Sequence, residues 1–411
     1  MAQPNVLLII ADDMGLDASK CYDVGNQQAP MPNIEAMCAQ GLVFMSAYAM
    51  PTCSPTRATI MSGQYGFRTG VGAPIASDGS DDLDPDTPTL FDALTGEGYA
   101  SNVLGKWHIS GRDLGFEMPT EMGVSNYFGL YNGGIQDYFN WPAIENGQEV
   151  MVEGYSTTVL TDKAIDWING QDQPWFLWLA YNAPHSPFHL PPNNLHSSDD
   201  LPADEESVNA NPLPYYNAML EALDTEIGRL LASMSDDERA NTYIMFIGDN
   251  GTPNQVIGDL YGTHQAKGTL YNSATNVPFV ITGPGVLQGR TDAFVNTTDF
   301  YSTITAIAGA SASSPDSIDF SPVLSGGEGA RTFINVDHFT NRETRGGGQY
   351  GWAWRETDYK LIAPKGEELQ LYSLIDDPLE QNNLLANGGT PEAIAMANEM
   401  KAKRDALVAS K

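Results

Sequence analysis

The sequence is poor in cysteine, poor in basic residues and without a long apolar run. Three cysteines in 411 residues, Cys21, Cys38 and Cys53, are too few and of the wrong parity for a disulfide framework. Cys21 and Cys38 can pair, but unpaired thiols are the default expectation, and the redox compartment stays open. Twenty basic residues face 52 acidic ones, a formal net charge of −32, and such a field repels polyanions. That excludes nucleic acid and anionic membranes as partners, and leaves a solvated acidic exterior suited to salty water as the plain reading. No stretch of about 18 apolar residues occurs, so no segment is expected to span a membrane. The opening MAQPNVLLII has no basic leader and runs straight into a strand-like segment, so no signal peptide is visible. A chain whose leader had been removed would be periplasmic or secreted; otherwise it would be cytoplasmic.

What the chain does have is interior material and regular alternation. At 44.5 kDa and 42% hydrophobic it exceeds the usual size of one core, which predicts a large domain with a smaller appendage. VLLIIADD (6–13) is an unbroken apolar run ending in two aspartates, the pattern of a buried parallel strand that delivers polar groups at its carboxyl end. NIEAMCAQG (33–41) reads as a helix closed by Gly41, LFDALTGEGY (90–99) as a helix after a loop over 78–89, and SNVLGKWH (101–108) as a strand. STTVLTDKAIDWING (156–170) is an amphipathic helix stopped by Gly170, and PWFLWLAY (174–181) is a strand. YYNAMLEALDTEIGRLLASM (215–234) puts Met219, Leu223, Ile227 and Leu230 on one helical face, and TYIMFIGDN (242–250) and VPFVITGPG (277–285) are strands. The alternation predicts an α/β fold with a large, mainly parallel sheet and helices on both faces, over residues 1–330. Residues 331–411 read as a small α+β subdomain with short antiparallel strands and a terminal helix, joined through 313–330.

The polar residues fall in one kind of place. Asp12, Asp13, His108, His185, Asp249 and Asn250 all lie at or just beyond the carboxyl end of an expected strand, where open α/β sheets place their ligand crevice. Asp12, Asp13, Asp249 and Asn250 offer only oxygen ligands, which suits Ca²⁺ or Mg²⁺ better than zinc. Taken singly, a DD pair is commonly a solvated turn and DNG a plain turn; their value lies in occurring together. Arg57, Lys106, His108, His185 and Lys267 supply positive charge and transferable protons, as an anionic tetrahedral substrate requires. Lys106 and His108 are two apart on the expected strand and should face the same side.

CSPTR (53–57), followed by Ser62-Gly63, resembles the Cys-x-Pro-x-Arg signature of the type I sulfatases, within the alkaline phosphatase superfamily. PNVLLIIADDMG resembles the opening strand of that family, MPNIEAMCAQGLVF its first helix, GKWH its lysine–histidine strand and APHSP (183–187) its second histidine motif. IGDNG matches its Asp-Asn metal motif, and AKGTLYN carries the match to its second sulfate-binding lysine, Lys267. RETDYKLI and LYSLIDDPLEQNNL are similar to its C-terminal subdomain.

The resemblance implies an arylsulfatase-like enzyme that cleaves a sulfate monoester to an alcohol or phenol and inorganic sulfate. It implies that a formylglycine-generating enzyme oxidises Cys53 to Cα-formylglycine. Asp12, Asp13, Asp249 and Asn250 would hold Ca²⁺, or Mg²⁺, together with an oxygen of the hydrated aldehyde at position 53. Arg57 would orient that hydrate, Lys106 and Lys267 would grip sulfate, His185 and Lys267 would help the departing alkoxide take a proton, and His108 would act as base. In that scheme one hydroxyl of the gem-diol attacks sulfur and the other later loses its proton to expel sulfate and regenerate the aldehyde. A thiol nucleophile is the lesser alternative, since no helix N-terminus or neighbouring histidine is evident to activate it. The expected partner is a small-molecule or carbohydrate sulfate ester. Trp107, the aromatics of 127–141, His189, His338 and Trp354 are candidates for its ring subsite, although most are expected to be core.

Departures exist. YNSATN (271–276) stands where the family often reads Tyr-Glu-Gly-Gly-x-Arg, which leaves that wall of the site open. A phosphonate monoester or phosphodiester hydrolase of the same superfamily is the nearest competitor, and an inactive anion-binding relative a more distant one. Asn250, where those hydrolases usually carry histidine, favours the sulfatase.

Overall fold

Strand β1, Asn5–Ala11, is buried along its whole length, and this apolar run forms the centre of the molecule. In the computed structural model, residues 3–77, 81–262, 264, 266–340 and 349–411 are described; the part of the expected 78–89 loop over 78–80 lies outside them. Nine further strands join β1 in one sheet: β2 (Leu42–Tyr48), β3 (Ala100–Gly105), β4 (Tyr127–Gly129), β5 (Asn140–Glu145), β6 (Gln148–Glu153), β7 (Trp175–Ala180), β8 (Thr242–Gly248), β9 (Phe279–Thr282) and β10 (Gly289–Asn296). Their order is β10-β2-β9-β8-β1-β7-β3-β4-β5-β6. The central run β8-β1-β7-β3-β4 is parallel, as expected. Strand β9 instead runs antiparallel to both its neighbours, and β5 and β6 form an antiparallel margin.

Alternate residues of β1 explain the two layers. Val6, Leu8 and Ile10 face helices Cys53–Ser62, Leu90–Gly96 and Asp299–Ala308, whereas Leu7 and Ile9 face Pro32–Gln40, Ser156–Asn169 and Leu213–Ser233. Each fully buried leucine here contributes roughly 2 kcal/mol through removal from water. The stretch 313–330 is more than a connector, because Phe320, Val323 and Leu324 are buried in the first layer.

Strands β11 (Ile334–His338), β12 (Gly351–Arg355), β13 (Tyr359–Pro364) and β14 (Gln370–Ser373) make a separate antiparallel sheet, followed by helix Pro391–Ala409. Its Ile334, Val336, Ala353 and Ile362 pack on Tyr48, Met50, Tyr65 and Leu270 of the main domain.

Unpaired thiols are corrected at two positions: Cys21 and Cys38 are disulfide-bonded, with Cα atoms 6.1 Å apart, and Cys53 alone is free. The count of cysteines misses this because the pairing depends on the helix Pro32–Gln40 returning beside Cys21. Closing a loop of 17 residues is worth about 3 kcal/mol. A Cys21→Ser/Cys38→Ser variant should therefore melt several degrees lower than the parent by calorimetry; identical melting would mean that the bridge contributes nothing.

Candidate active site

Parallel pairing of β1 with β8 sets Ala11 against Gly248, so the residues that follow, Asp12-Asp13 and Asp249-Asn250, emerge side by side. The Asp13 backbone adopts φ 71°, and its N–H donates to Asp249 Oδ1 at 3.0 Å. Asn250 Nδ2 donates to Asp13 Oδ1 at 2.8 Å. Oxygens of Asp12 and Asp249 and the Cys53 sulfur all lie within 4.8 Å of one another.

Cys53 is the first residue of helix Cys53–Ser62, with Thr52 as N-cap, so a helix N-terminus does stand at the thiol, contrary to the sequence expectation. Cys53 is only 3% exposed, and burial pushes its thiol up to about 11 in spite of Lys106 and Lys267. One turn on, Arg57 shares the face of Cys53. Its guanidinium donates to the Lys106 carbonyl and to Asp249 Oδ2, both at 2.8 Å, and so ties the helix to the ends of β3 and β8.

Lys106 and His108 do converge on the site, but the strand reading of why they do is wrong. Strand β3 stops at Gly105, whose φ of 101° ends the pleat, and His108 itself takes φ 54°. Lys106 Nζ reaches Asp12 Oδ2 at 2.6 Å, and Lys267 Nζ reaches Asp13 Oδ1 at 2.5 Å. His108 Nε2 donates to the Ile75 carbonyl at 3.0 Å, which leaves Nδ1 as a buried lone pair without a partner among the described residues. Burial, reinforced by Lys106, pushes this imidazole well below its usual range, so it is neutral near pH 7. His185 donates through Nδ1 to the Ser186 carbonyl at 2.7 Å and turns Nε2 toward Asp13 Oδ2, 3.8 Å away.

Sequence reading missed the supports of these groups. A side-chain carbon on Gly133, in YNGG, would collide with the His108 ring, so glycine is required at that position. Tyr216 donates to the Asp13 carbonyl at 2.9 Å from helix Leu213–Ser233. The glycine was a readable signal; the tyrosine was indistinguishable from core.

Residues and cation fit each other. Asp12 Oδ1 and Asn250 Oδ1 are buried without hydrogen-bond partners among the described residues, and the donor set is oxygen-rich, as a hard cation requires. Burial alone would push Asp12 up, yet Lys106, His185, Arg57 and Lys267 together hold it below the ordinary carboxylate range. Burial and the charge of Asp12 push Asp249 up to about 6, against Arg57 and Lys106. Two buried carboxylates this close resist ionising together, and a divalent ion relieves that conflict.

The YNSATN departure is filled by other parts of the chain. The short helix Asn272–Thr275 packs beside the metal motif, where Gly251 N–H donates to the Ala274 carbonyl at 2.8 Å. Asn272 Oδ1 accepts from Lys360 Nζ at 2.9 Å and from Tyr48 at 3.0 Å, and Lys360 pairs with Glu380, all from outside the motif. Trp107 and Trp354 are buried packing residues. The His189 ring lies 4.2 Å from that of Tyr138, tilted by 39°, beside exposed Phe139, and Tyr138 in turn donates to the His185 carbonyl at 2.6 Å. His338 is buried in β11 and stands outside the cluster.

The "Sulfatase" family model matches residues 4–310. The chain is 27% identical to a sulfatase of Formosa agariphila over 98% of its length and 88% of that protein's. It is 26% identical to human arylsulfatase A, covering 98% of this chain and 89% of the relative. Among solved structures, Ps i-CgsB superposes with a TM-score of 0.84 at 24% identity, covering 99% of this chain and 93% of the other. A protein solved with its substrate D-glucosamine-2-N,6-O-disulfate gives a TM-score of 0.76 at 20% identity, covering 97% and 98%. With a large, mostly parallel sheet ending in this cluster and a family match over three quarters of its length, the chain belongs to the sulfatase family and is a sulfuric ester hydrolase.

Proposed function

We propose that this enzyme removes sulfate from a carbohydrate or aryl sulfate monoester through a Cα-formylglycine formed at position 53, by way of its hydrate and a covalent sulfate ester. The observation that carries this reading is the meeting of Asp12, Asp249 and Cys53 within 4.8 Å, beside Lys106 and Lys267. Asp12, Asp13, Asp249 and Asn250 would hold the cation, Ca²⁺ or Mg²⁺, which when bound lowers the cost of gathering negative charge around sulfur.

The other roles follow from the chain's own geometry. Arg57, clamped by Asp249 and the Lys106 carbonyl, orients the group at position 53. Lys106 and Lys267 bring positive charge to sulfate oxygens; Lys267 is raised above its ordinary range because the pull of Asp13 outweighs burial, so it stays protonated and can serve the leaving oxygen together with His185. His108, neutral and with Nδ1 free, can accept the proton of the second hydroxyl as sulfate leaves. A carbohydrate leaving group is supported by the structural neighbour solved with a glucosamine disulfate and by another solved with a neocarrahexaose. The Cys21–Cys38 bridge supports a periplasmic or secreted location, because cytosolic thiols are kept reduced.

Aldehyde-bearing protein should release sulfate from a chromogenic aryl sulfate, lose that activity in chelator and regain it with added Ca²⁺. A panel of aryl, alkyl, choline and carbohydrate sulfates then ranks the alcohol portion. Protein holding both aldehyde and metal, yet inert on every member, would contradict the proposal; faster cleavage of a phosphonate monoester would favour the competing hydrolase.

A further inference from the structure

A cavity of about 420 Å³ opens in the C-terminal sheet away from the catalytic cluster, within the size range of small-ligand sites. Phe67, Phe339, Tyr350 and Trp352 form half-buried aromatic walls, and Lys365 and Arg404 add positive charge at its edge. Cations are scarce in this chain, 20 against 52 acidic residues, and of the two at this cavity Arg404 has its charge met by Asp337. The acidic residue in the wall, Asp337, is already engaged, by Arg404 at 2.9 Å and Asn335 at 3.1 Å, and does not cancel Lys365.

His338 gives the cavity its polarity. It is fully buried, and its Nδ1 donates to the Gln349 carbonyl at 3.0 Å, so Nε2 is a lone pair, without a partner among the described residues. Burial pushes this histidine down to about 4, which keeps that lone pair unprotonated at neutral pH. Arg404 Nε is likewise buried and unpartnered while its guanidinium lies 4.9 Å over Trp352. An acceptor, a donor and a cation among aromatic faces match a ring that carries hydroxyls, an apolar C–H face and an anionic substituent. A bare sulfate cannot donate to His338, and a plain hydrocarbon makes no use of Lys365.

The cavity is coupled to the reacting site by backbone hydrogen bonds. Gln349 N–H donates to the Gly268 carbonyl, next to Lys267, and Gly268 N–H donates to the Pro51 carbonyl, two residues before Cys53.

Resting on the sulfatase reading above, we propose that this cavity binds a second, non-reacting anionic sugar unit of an oligosaccharide substrate, with His338 accepting a ring hydroxyl and Lys365 facing the charged substituent. The test compares wild type, Lys365→Glu and His338→Phe on three substrates: a sulfated tetrasaccharide of whichever carbohydrate class the panel ranks first, its sulfated monosaccharide, and a chromogenic aryl sulfate. Lys365 is exposed, so its variant folds even if the buried histidine variant does not. The expected result is a KM for the tetrasaccharide raised about tenfold with kcat changed less than twofold, and unchanged kinetics on the two small substrates. Unchanged tetrasaccharide KM in Lys365→Glu, equal losses on all three substrates, or a wild type that cleaves aryl but no carbohydrate sulfate would each overturn the proposal. The aryl arm separates the two readings, because its failure in aldehyde-bearing wild type would instead remove the sulfatase mechanism.

Discussion

Replacing Cys53 with serine is expected to lower kcat/KM on an aryl sulfate by about four orders of magnitude or more in a normally folded protein. A serine offers one hydroxyl, so an ester formed on it has no second hydroxyl whose deprotonation could rebuild a carbonyl and expel sulfate. The unoxidised thiol fares no better. With its ionisation pushed up to about 11 by burial, only about one molecule in 10⁴ carries a thiolate at pH 7, despite the helix N-terminus beneath it. Across preparations, activity should rise in proportion to the aldehyde fraction read by intact mass. Full activity in aldehyde-free protein would refute the mechanism.

Asp249 should be the most costly acidic residue to lose, because it serves two masters. It contributes to the oxygen cluster and also neutralises Arg57, with both side chains wholly buried and 2.8 Å apart. Asp249→Ala leaves a buried guanidinium without its partner, which costs about 3–5 kcal/mol of stability. Asp249→Asn keeps a hydrogen-bond acceptor for Arg57 but removes the charge, so it should unfold nearer the parent. Both variants should fall at least about a thousandfold in kcat/KM. Calcium titrations should separate the causes: a large excess of Ca²⁺ partly restores Asp249→Asn and does not restore Asp249→Ala. Equal melting of parent and Asp249→Ala would show that the Arg57 pair carries no stability.

The legible parts of the sequence were those where physics repeats locally. Apolar runs closing in Asp12-Asp13 and Asp249-Asn250 announced both the strands and the polar residues that meet at their ends, and Leu213–Ser233 announced its buried face by helical period. The helix under Cys53 was hidden for a physical reason: all ten of its residues, polar and apolar alike, are buried, so it has no solvent-exposed face to impose an amphipathic period. Strands β5 and β6 lie at the sheet margin, where β5 mixes buried with exposed positions and β6 has none buried. Long-range partners were the least legible. Nothing near YNSATN indicates that Lys360 and Glu380, about a hundred residues away, complete that wall, nor does a lone HFT step after β11 reveal the cavity around His338.

The near-complete enclosure of Cys53 and Arg57 also sets a timetable for maturation on the proposed route. A modifying enzyme must read CSPTR as an accessible peptide, whereas the finished fold presents it as an interior helix with Arg57 locked onto Asp249. Ribosomes deliver about 5–20 residues per second, so β8 and Asp249 follow Cys53 only after an interval on the order of tens of seconds. Oxidation has that interval in which to act, and a chain that closes first is left with a sealed thiol and no later opportunity.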